Sequence, residues 1–326
     1  MQFVARALGQ VVAALGFATA PAAFAQSAEP TQGGKPITLI VGFAPGGSAD
    51  SIARVVGGPL GEKLGRRIVV ENRPGAGANI AARAVVQSPP DGNTLLVTTA
   101  ALPINETLYK NKGFVASTLM PISIVATTPE VFAINKDAKA QDLAGFIKES
   151  AGQEVIFATA GIGTSSHIAG EYFFRFIVKT SAKHVPFRGG PDATNAVLGG
   201  HVPMVVSSLS GFPSQVAGGA LRALAIADTK RNDIIKQVPT FADAGYPGFT
   251  AYSWVGFFAP KGSSAQFVAD LNKHIDAIAQ DPAVQQRLRT IGFDPMGGDV
   301  KSAEAFMARE YAQWKTMVES LNLSVE

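Results

Sequence analysis

Apolar positions recur along the chain in two rhythms. Short runs rich in β-branched residues, such as Ile37-Thr38-Leu39-Ile40-Val41, mark strands, and apolar residues three and four apart mark helices. The pattern predicts strands over 37–41, 68–71, 94–98, 130–135, 154–159, 183–187, 202–207, 221–227 and 254–259. Between them it predicts helices from Ser48 onward and over 79–87, 141–151, 165–178 and 192–198. Three more follow in the tail, near 264–279, 282–290 and 302–321. The helix over 165–178 carries Ile168, Phe173, Phe176 and Ile177 on its apolar side. Gly57-Gly58-Pro59 is expected to kink or break the helix from Ser48, because proline removes a donor and clashes with the preceding turn. Strands alternating with helices imply an α/β fold with parallel sheets covered on both faces.

The start of the chain does not follow this rhythm. Arg6 precedes a mostly apolar, uncharged run over 7–20, and Ala23-Phe24-Ala25 puts small residues where a signal peptidase reads. This predicts a secretory signal peptide over 1–25, cut after Ala25, then a flexible leader over 26–35. The apolar run is short of the roughly 20 residues a spanning helix needs. Composition narrows the classes further. A length of 326 residues suggests two domains. Hydrophobic residues at 47% against 16% charged exclude a disordered chain. The absence of cysteine excludes a disulfide scaffold, a thiol nucleophile and a thiolate metal site. Export without cysteine fits a Gram-negative periplasm. A formal charge of +3 with no Lys/Arg run argues against nucleic acid as a partner.

Two units open alike: an apolar strand, a glycine-rich turn, then a hydroxyl residue starting a helix. The first turn holds Phe43, Pro45, Gly46, Gly47, Ser48, Ala49 and Asp50, and the second Thr159, Ala160, Gly161, Gly163, Thr164, Ser165 and His167. A helix N-terminus leaves about four N–H groups unpaired and carries partial positive charge. Such a turn is an anion site that needs no cationic side chain. Facing each other across a cleft, the two could clamp a small dianion. Asp50 caps its own turn or touches the ligand. His167 supports the loop or joins the ligand shell, and Arg188 pairs with a carboxylate or stays solvated. Thr99, Ala100 and Ser208 complete the candidate set. Phe43, Phe212 and Trp254 are core, or else walls that would flank an aromatic ring.

Enzyme signatures are missing. The 42–47 turn is followed by Ser48 rather than Lys, Gly161-Ile162-Gly163 lacks a third dinucleotide glycine, and no Gly-x-Ser-x-Gly occurs. His167 and Glu171 are four apart, but two ligands do not make a metal site. No cofactor or metal is expected.

Ala44-Pro45-Gly46-Gly47-Ser48-Ala49-Asp50 resembles the first ligand loop of the periplasmic Bug receptors, the solute-binding proteins of tripartite tricarboxylate transporters. Val70-Glu71-Asn72-Arg73-Pro74-Gly75-Ala76-Gly77, Pro89-Pro90-Asp91-Gly92 and Trp254-Val255-Gly256-Phe257-Phe258-Ala259-Pro260 are similar to further landmarks of that family. Thr159-Ala160-Gly161-Ile162-Gly163-Thr164-Ser165-Ser166-His167 resembles its second ligand loop. The resemblance implies a type II periplasmic binding fold: two α/β lobes around a ligand cleft, joined by crossing strands. Lobe 1 would span 36–127 plus 254–326 and lobe 2 128–253, hinged near 127–129 and 252–254. It implies a carboxylate held by backbone amides, hydroxyls and waters, a membrane permease as partner, and a monomer. Pro203 stands where the family often has an acidic residue, and Ser207-Ser208-Leu209-Ser210 could supply hydroxyl contacts instead. The expected function is a non-catalytic receptor for a small carboxylate, a dicarboxylate, with aromatic acids of the phthalate type among the candidates. A receptor feeding a sensor kinase is the alternative. A hydrolase using His167 or Asp50 as base is a distant third, because no triad is legible.

Overall fold

The computed structural model describes residues 34–326. The signal peptide, and all but the last two residues of the leader, fall outside the described residues. From Ile37 to Thr99 the chain runs β1 (Ile37–Val41), α1 (Ser48–Leu64), β2 (Ile68–Asn72), α2 (Asn79–Val86) and β3 (Thr94–Thr99). Then come α3 (Ala101–Leu108), β4 (Leu119–Asn135) and α4 (Leu143–Glu149). The next units are β5 (Val155–Thr159), α5 (Ser165–Tyr172), β6 (Ala182–Pro186), α6 (Gly190–Leu198) and β7 (Met204–Ser208). The chain continues with α7 (Pro213–Ala217), β8 (Leu221–Ile226), β9 (Tyr252–Pro260), α8 (Ala265–Ala279), α9 (Pro282–Thr290), β10 (Asp294–Pro295) and α10 (Val300–Ser320).

The strands lie in the order β2-β1-β3-β9-β4-β7-β5-β6, with β8 and β10 also pairing with β4. Among the strand pairs of the described residues, parallel pairing lies at the two ends, β1 with β2 and β3, and β5 with β6 and β7. The middle is antiparallel, which corrects the expectation of purely parallel sheets. The cause is a pair of long strands. β9 returns between β3 and β4, and β4 pairs with β9 from Leu119 to Pro129, then with β7 and β8 from Glu130 onward. The sequence reading sees only the second stretch, because Pro121 and Pro129 obscure the first. Pro121 sits at a register shift and Pro129 at the handover, where a missing N–H does least harm.

Two of the apolar clusters draw on residues up to Ala126 and from Trp254 onward, with Ile168 the one buried member from elsewhere. Two others draw on residues 131–251. One of these is phenylalanine-rich: Phe241 lies 4.9 Å from Phe132, 4.8 Å from Phe173 and 4.6 Å from Phe249, all edge-on. Such geometry sets positive ring edges on negative faces.

Two helix expectations are corrected. α1 runs unbroken through Gly57-Gly58-Pro59. Pro59 lies on the half-exposed side, while a Cβ at Gly57 would come within 3.2 Å of the Ile68 side chain and one at Gly61 within 2.9 Å of the Arg66 carbonyl. These glycines let the helix settle closely on β2, and that packing holds it through the proline. The helix expected over 165–178 ends as α-helix at Tyr172 and turns π-helical over Phe173–Val178. The wider turn buries the adjacent Phe173 and Phe174 together and leaves Phe176 exposed, against its expected place on the apolar face.

Candidate ligand cleft

The first turn is tied from inside. Asp50 is 2% exposed. Its Oδ2 accepts from the Gly46 N–H (2.9 Å) and Arg54 Nε (2.9 Å), and its Oδ1 from Arg54 Nη2 and Asn72 Nδ2 (3.0 Å each). Burial works to raise this carboxyl, but the bonds from Arg54, Gly46 and Asn72 outweigh it and hold Asp50 below the usual carboxylate range. Asn72 also donates to the Phe43 carbonyl (2.9 Å). No side chain caps the α1 N-terminus, where Gly47 is the N-cap.

The second turn rests on hydroxyls and two histidines. Thr164 caps α5 by accepting from the His167 N–H (3.3 Å), and its hydroxyl donates to the Gly161 carbonyl (2.7 Å). Gly163 N–H donates to His167 Nδ1 (3.3 Å), which assigns the ring proton to Nε2. His167 stacks on His184 with centroids 4.1 Å apart, and His184 shares a 2.6 Å hydrogen bond with Thr159 Oγ1. Burial pushes His167 down to about 3, with His184 and Arg175 adding to it, and burial alone pushes His184 down to about 4. Both rings are therefore neutral in the folded protein and become charged in the unfolded chain below about pH 6.5. Their contribution is complete above that value and lost as pH falls toward 4 and then 3. Urea midpoints should decline between pH 6.5 and 4, and less steeply in a His167→Gln/His184→Gln variant. Equal slopes would refute this.

The two turns meet at a small cavity of about 40 Å³. Phe43, Gly47, Ser48 and Ala49 line it from the first turn, and Ala160, Thr164 and Ser165 from the second. Thr99 and Ser208 join them. Ser207, offered with Ser208 as a hydroxyl contact, also lines it, and polar members not singled out from the sequence are Ser166 and Ser253, with backbone from Gly189 and Gly190. Ser48 and Ser210 hydroxyls share a 2.6 Å hydrogen bond, and the Ala44 N–H donates to the Arg188 carbonyl (3.2 Å). An outer groove of about 830 Å³ shares Phe43 and Ala160 with the cavity, and Gly161 and the exposed Arg188 line its wall.

The other expected site residues stand behind these surfaces. Pro45 and Gly46 lie at the exposed tip of the first turn, while Asp50 is buried beneath that turn, Thr159 and His167 beneath the second, and Ala100 is buried after β3. Gly163 is held against Asn105 and lines neither space. Phe212 and Trp254 are both 0% exposed and sit in core clusters, so neither flanks a ligand ring. Trp254 Nε1 instead donates to Glu310 Oε2 (2.6 Å), as does Trp314 Nε1 (2.9 Å). Pro203 is exposed just before the N-terminal end of β7, whereas Ser207 and Ser208 reach the cavity at its C-terminal end.

Glu130 is missed by the sequence reading. It is 0% exposed on β4, and its Oε1 accepts from Ser165 Oγ (2.6 Å) and Ser208 Oγ (3.1 Å). A single acid at the head of the apolar run Val131-Phe132-Ala133-Ile134 was the available signal.

A small cavity lined by hydroxyls and backbone between two glycine turns, with long antiparallel strands joining the two parallel ends of the sheet, is the build of a solute-binding receptor. Residues 52–323 match the tripartite tricarboxylate transporter family receptor, TctC, and the chain belongs to that family. Protein BugT of Bordetella pertussis is 33% identical over 92% of this chain and 93% of its own. The fold matches that of periplasmic binding proteins. BugD, one of them, superposes with a TM-score of 0.85 at 27% identity, covering 90% of this chain and 99% of that one. Rpa4515 of R. palustris, in a structure with adipate, gives 0.85 at 26% identity over 89% and 98%. MatC of Rhodopseudomonas palustris, with bound malate, gives 0.81 at 27% over 87% and 99%.

Proposed function

We propose that the protein is a non-catalytic periplasmic receptor that closes on a small aliphatic dicarboxylate and presents it to a membrane permease. The observation that carries this reading is the pair of glycine turns converging on one cavity lined by hydroxyls and backbone. The adipate and malate held by Rpa4515 and MatC agree with that chemistry. With Phe212 and Trp254 in the core, Phe43 is the one aromatic side chain of the expected trio at the cavity, which favours aliphatic over phthalate-type ligands. Export rests on the expected signal peptide and on the periplasmic character of neighbours such as BugD.

A cavity of about 40 Å³ has room for roughly three water molecules, so a dicarboxylate requires the walls to part. The lobes that part would be 36–127 plus 254–326 and 128–253, moving about the β4 and β9 crossing. The Ser48–Ser210 and Ala44–Arg188 contacts would break on opening and re-form around ligand. Binding then appears as a population shift toward the closed form. Calorimetry with malate, adipate and phthalate, paired with small-angle scattering, tests this. The expected result is one-to-one binding of an aliphatic dicarboxylate and a smaller radius of gyration at saturation. Binding of none of the three, or binding without compaction, would overturn it.

A further inference from the structure

We propose that Glu130 is a positioning residue that couples carboxylate binding in the cleft to the uptake of one proton. The proposal rests on the carboxylate reading above and adds a device to it. Glu130 follows Pro129, at the point where β4 leaves β9 and takes up β7, with Ser208 its register partner. Its backbone is fixed by its N–H donating to the Ala251 carbonyl (2.9 Å) and its carbonyl accepting from the Ala227 N–H (2.8 Å). The side chain does not line the cavity. It stands one hydrogen bond behind Ser165 and Ser208, which do. Both serines point to Oε1, while Oε2 is buried without a partner.

A serine hydroxyl has one hydrogen, and an ionised carboxylate only accepts. While Glu130 is ionised, both hydroxyl hydrogens turn back toward it. The cavity then meets oxygen lone pairs at these two positions, with a negative charge behind them. Both repel a carboxylate. A proton taken from solvent and placed on Oε1, in the bond now made by one serine's hydrogen, makes Glu130 a donor as well as an acceptor. One serine then accepts from Glu130 and turns its own hydrogen into the cavity, where it can donate to the ligand. One proton enters and no covalent bond other than the new O–H changes.

The surroundings leave this titration to Glu130. Burial pushes it up to about 7, against the downward pull of the two serine bonds. On α5, His167 is engaged by Gly163, and Glu171 pairs with Arg175 (2.7 Å). Tyr252 on β9 donates to Glu310 (3.4 Å), and Arg222 on β8 donates to the Ala138 and Ala140 carbonyls. His167 and His184, pushed down to about 3 and about 4, stay neutral throughout the range of the test.

The test is calorimetry of adipate and malate, fully ionised above about pH 6.5, in buffers of different ionisation enthalpy. At about pH 8 the wild type should take up about one proton per ligand, and its affinity should fall about tenfold per pH unit above the Glu130 transition. Glu130→Gln, a permanent donor, should bind with no uptake and a flat profile, at least about tenfold tighter than wild type near pH 8.5. If the variant fails to fold, ligand-induced infrared difference spectra of the wild type still decide. They should show a protonated-carboxyl band gained on binding near pH 8. Wild-type binding without uptake and without that band would overturn the proposal and leave the carboxylate reading standing. Uptake that persists in Glu130→Gln would overturn the assignment to Glu130. No binding of either probe at any pH would remove both.

Discussion

Gly163→Ala is expected to abolish stabilisation by dicarboxylates and to lower the melting temperature by roughly 6–12 °C. Gly163 sits at φ +78, in the left-handed region, and a Cβ built there lies 1.8 Å from Asn105 Oδ1. Asn105 has nowhere to go: it is 0% exposed, and its Nδ2 donates to the Gly77 carbonyl (2.7 Å). The loop must therefore flip or the asparagine must leave. A flip breaks the Gly163 to His167 bond and moves the wall that holds Thr164 and Ser165. Left-handed strain and one lost buried hydrogen bond together cost about 3 kcal/mol. Calorimetric scans with and without malate or adipate measure both effects. An Asn105→Ala/Gly163→Ala double variant should lose less than the sum of the singles, because the clash is relieved. Full additivity, or wild-type ligand stabilisation in Gly163→Ala, would exclude this clamp.

Trp254→Ala should be the most damaging single change to stability. The indole is fully buried on β9, packed edge-on against Phe306 at 5.7 Å, and its register partner is Thr127 on β4. Truncating a buried tryptophan costs about 3–5 kcal/mol through lost transfer energy and the cavity left behind. The second loss is electrostatic. Burial pushes Glu310 up, and bonds from Trp254, Trp314 and Tyr252 offset that in part. Without Trp254, one Glu310 oxygen keeps only Trp314. A total of about 5 kcal/mol corresponds to a melting point lower by roughly 10–20 °C. Circular dichroism melts would show it. A fall of only a few degrees would mean that α10 repacks into the space.

Much of this architecture was legible because strands such as β1 and β3 are apolar, rich in β-branched residues and preceded by proline or glycine within two positions. The two turns were legible for the same reason: glycine and a hydroxyl before a helix leave few alternatives. What escaped was long-range. The first eleven residues of β4 hide behind Pro121 and Pro129, and their strand identity comes from pairing with β9, more than a hundred residues away. Periodicity does not carry that pairing, nor the antiparallel centre that follows from it. At the site, residue type left support and contact both open where geometry shows support. Asp50 and His167 are polar and near the turns, yet their bonds run inward. Phe212 and Trp254 are aromatic and follow strand starts or turns, but only the folded sheet shows which side they face. Glu130 escaped because its meaning depends on Ser165 and Ser208, 35 and 78 positions away.

The chain's two tryptophans, Trp254 and Trp314, lean on the same Glu310 oxygen, one from the crossing strand and one from α10. Every indole in the molecule thus shares one anchor. Cargo titrations are therefore expected to register in the intrinsic tryptophan emission without an attached dye, and an emission that stays constant at saturating dicarboxylate would show that the anchor does not move.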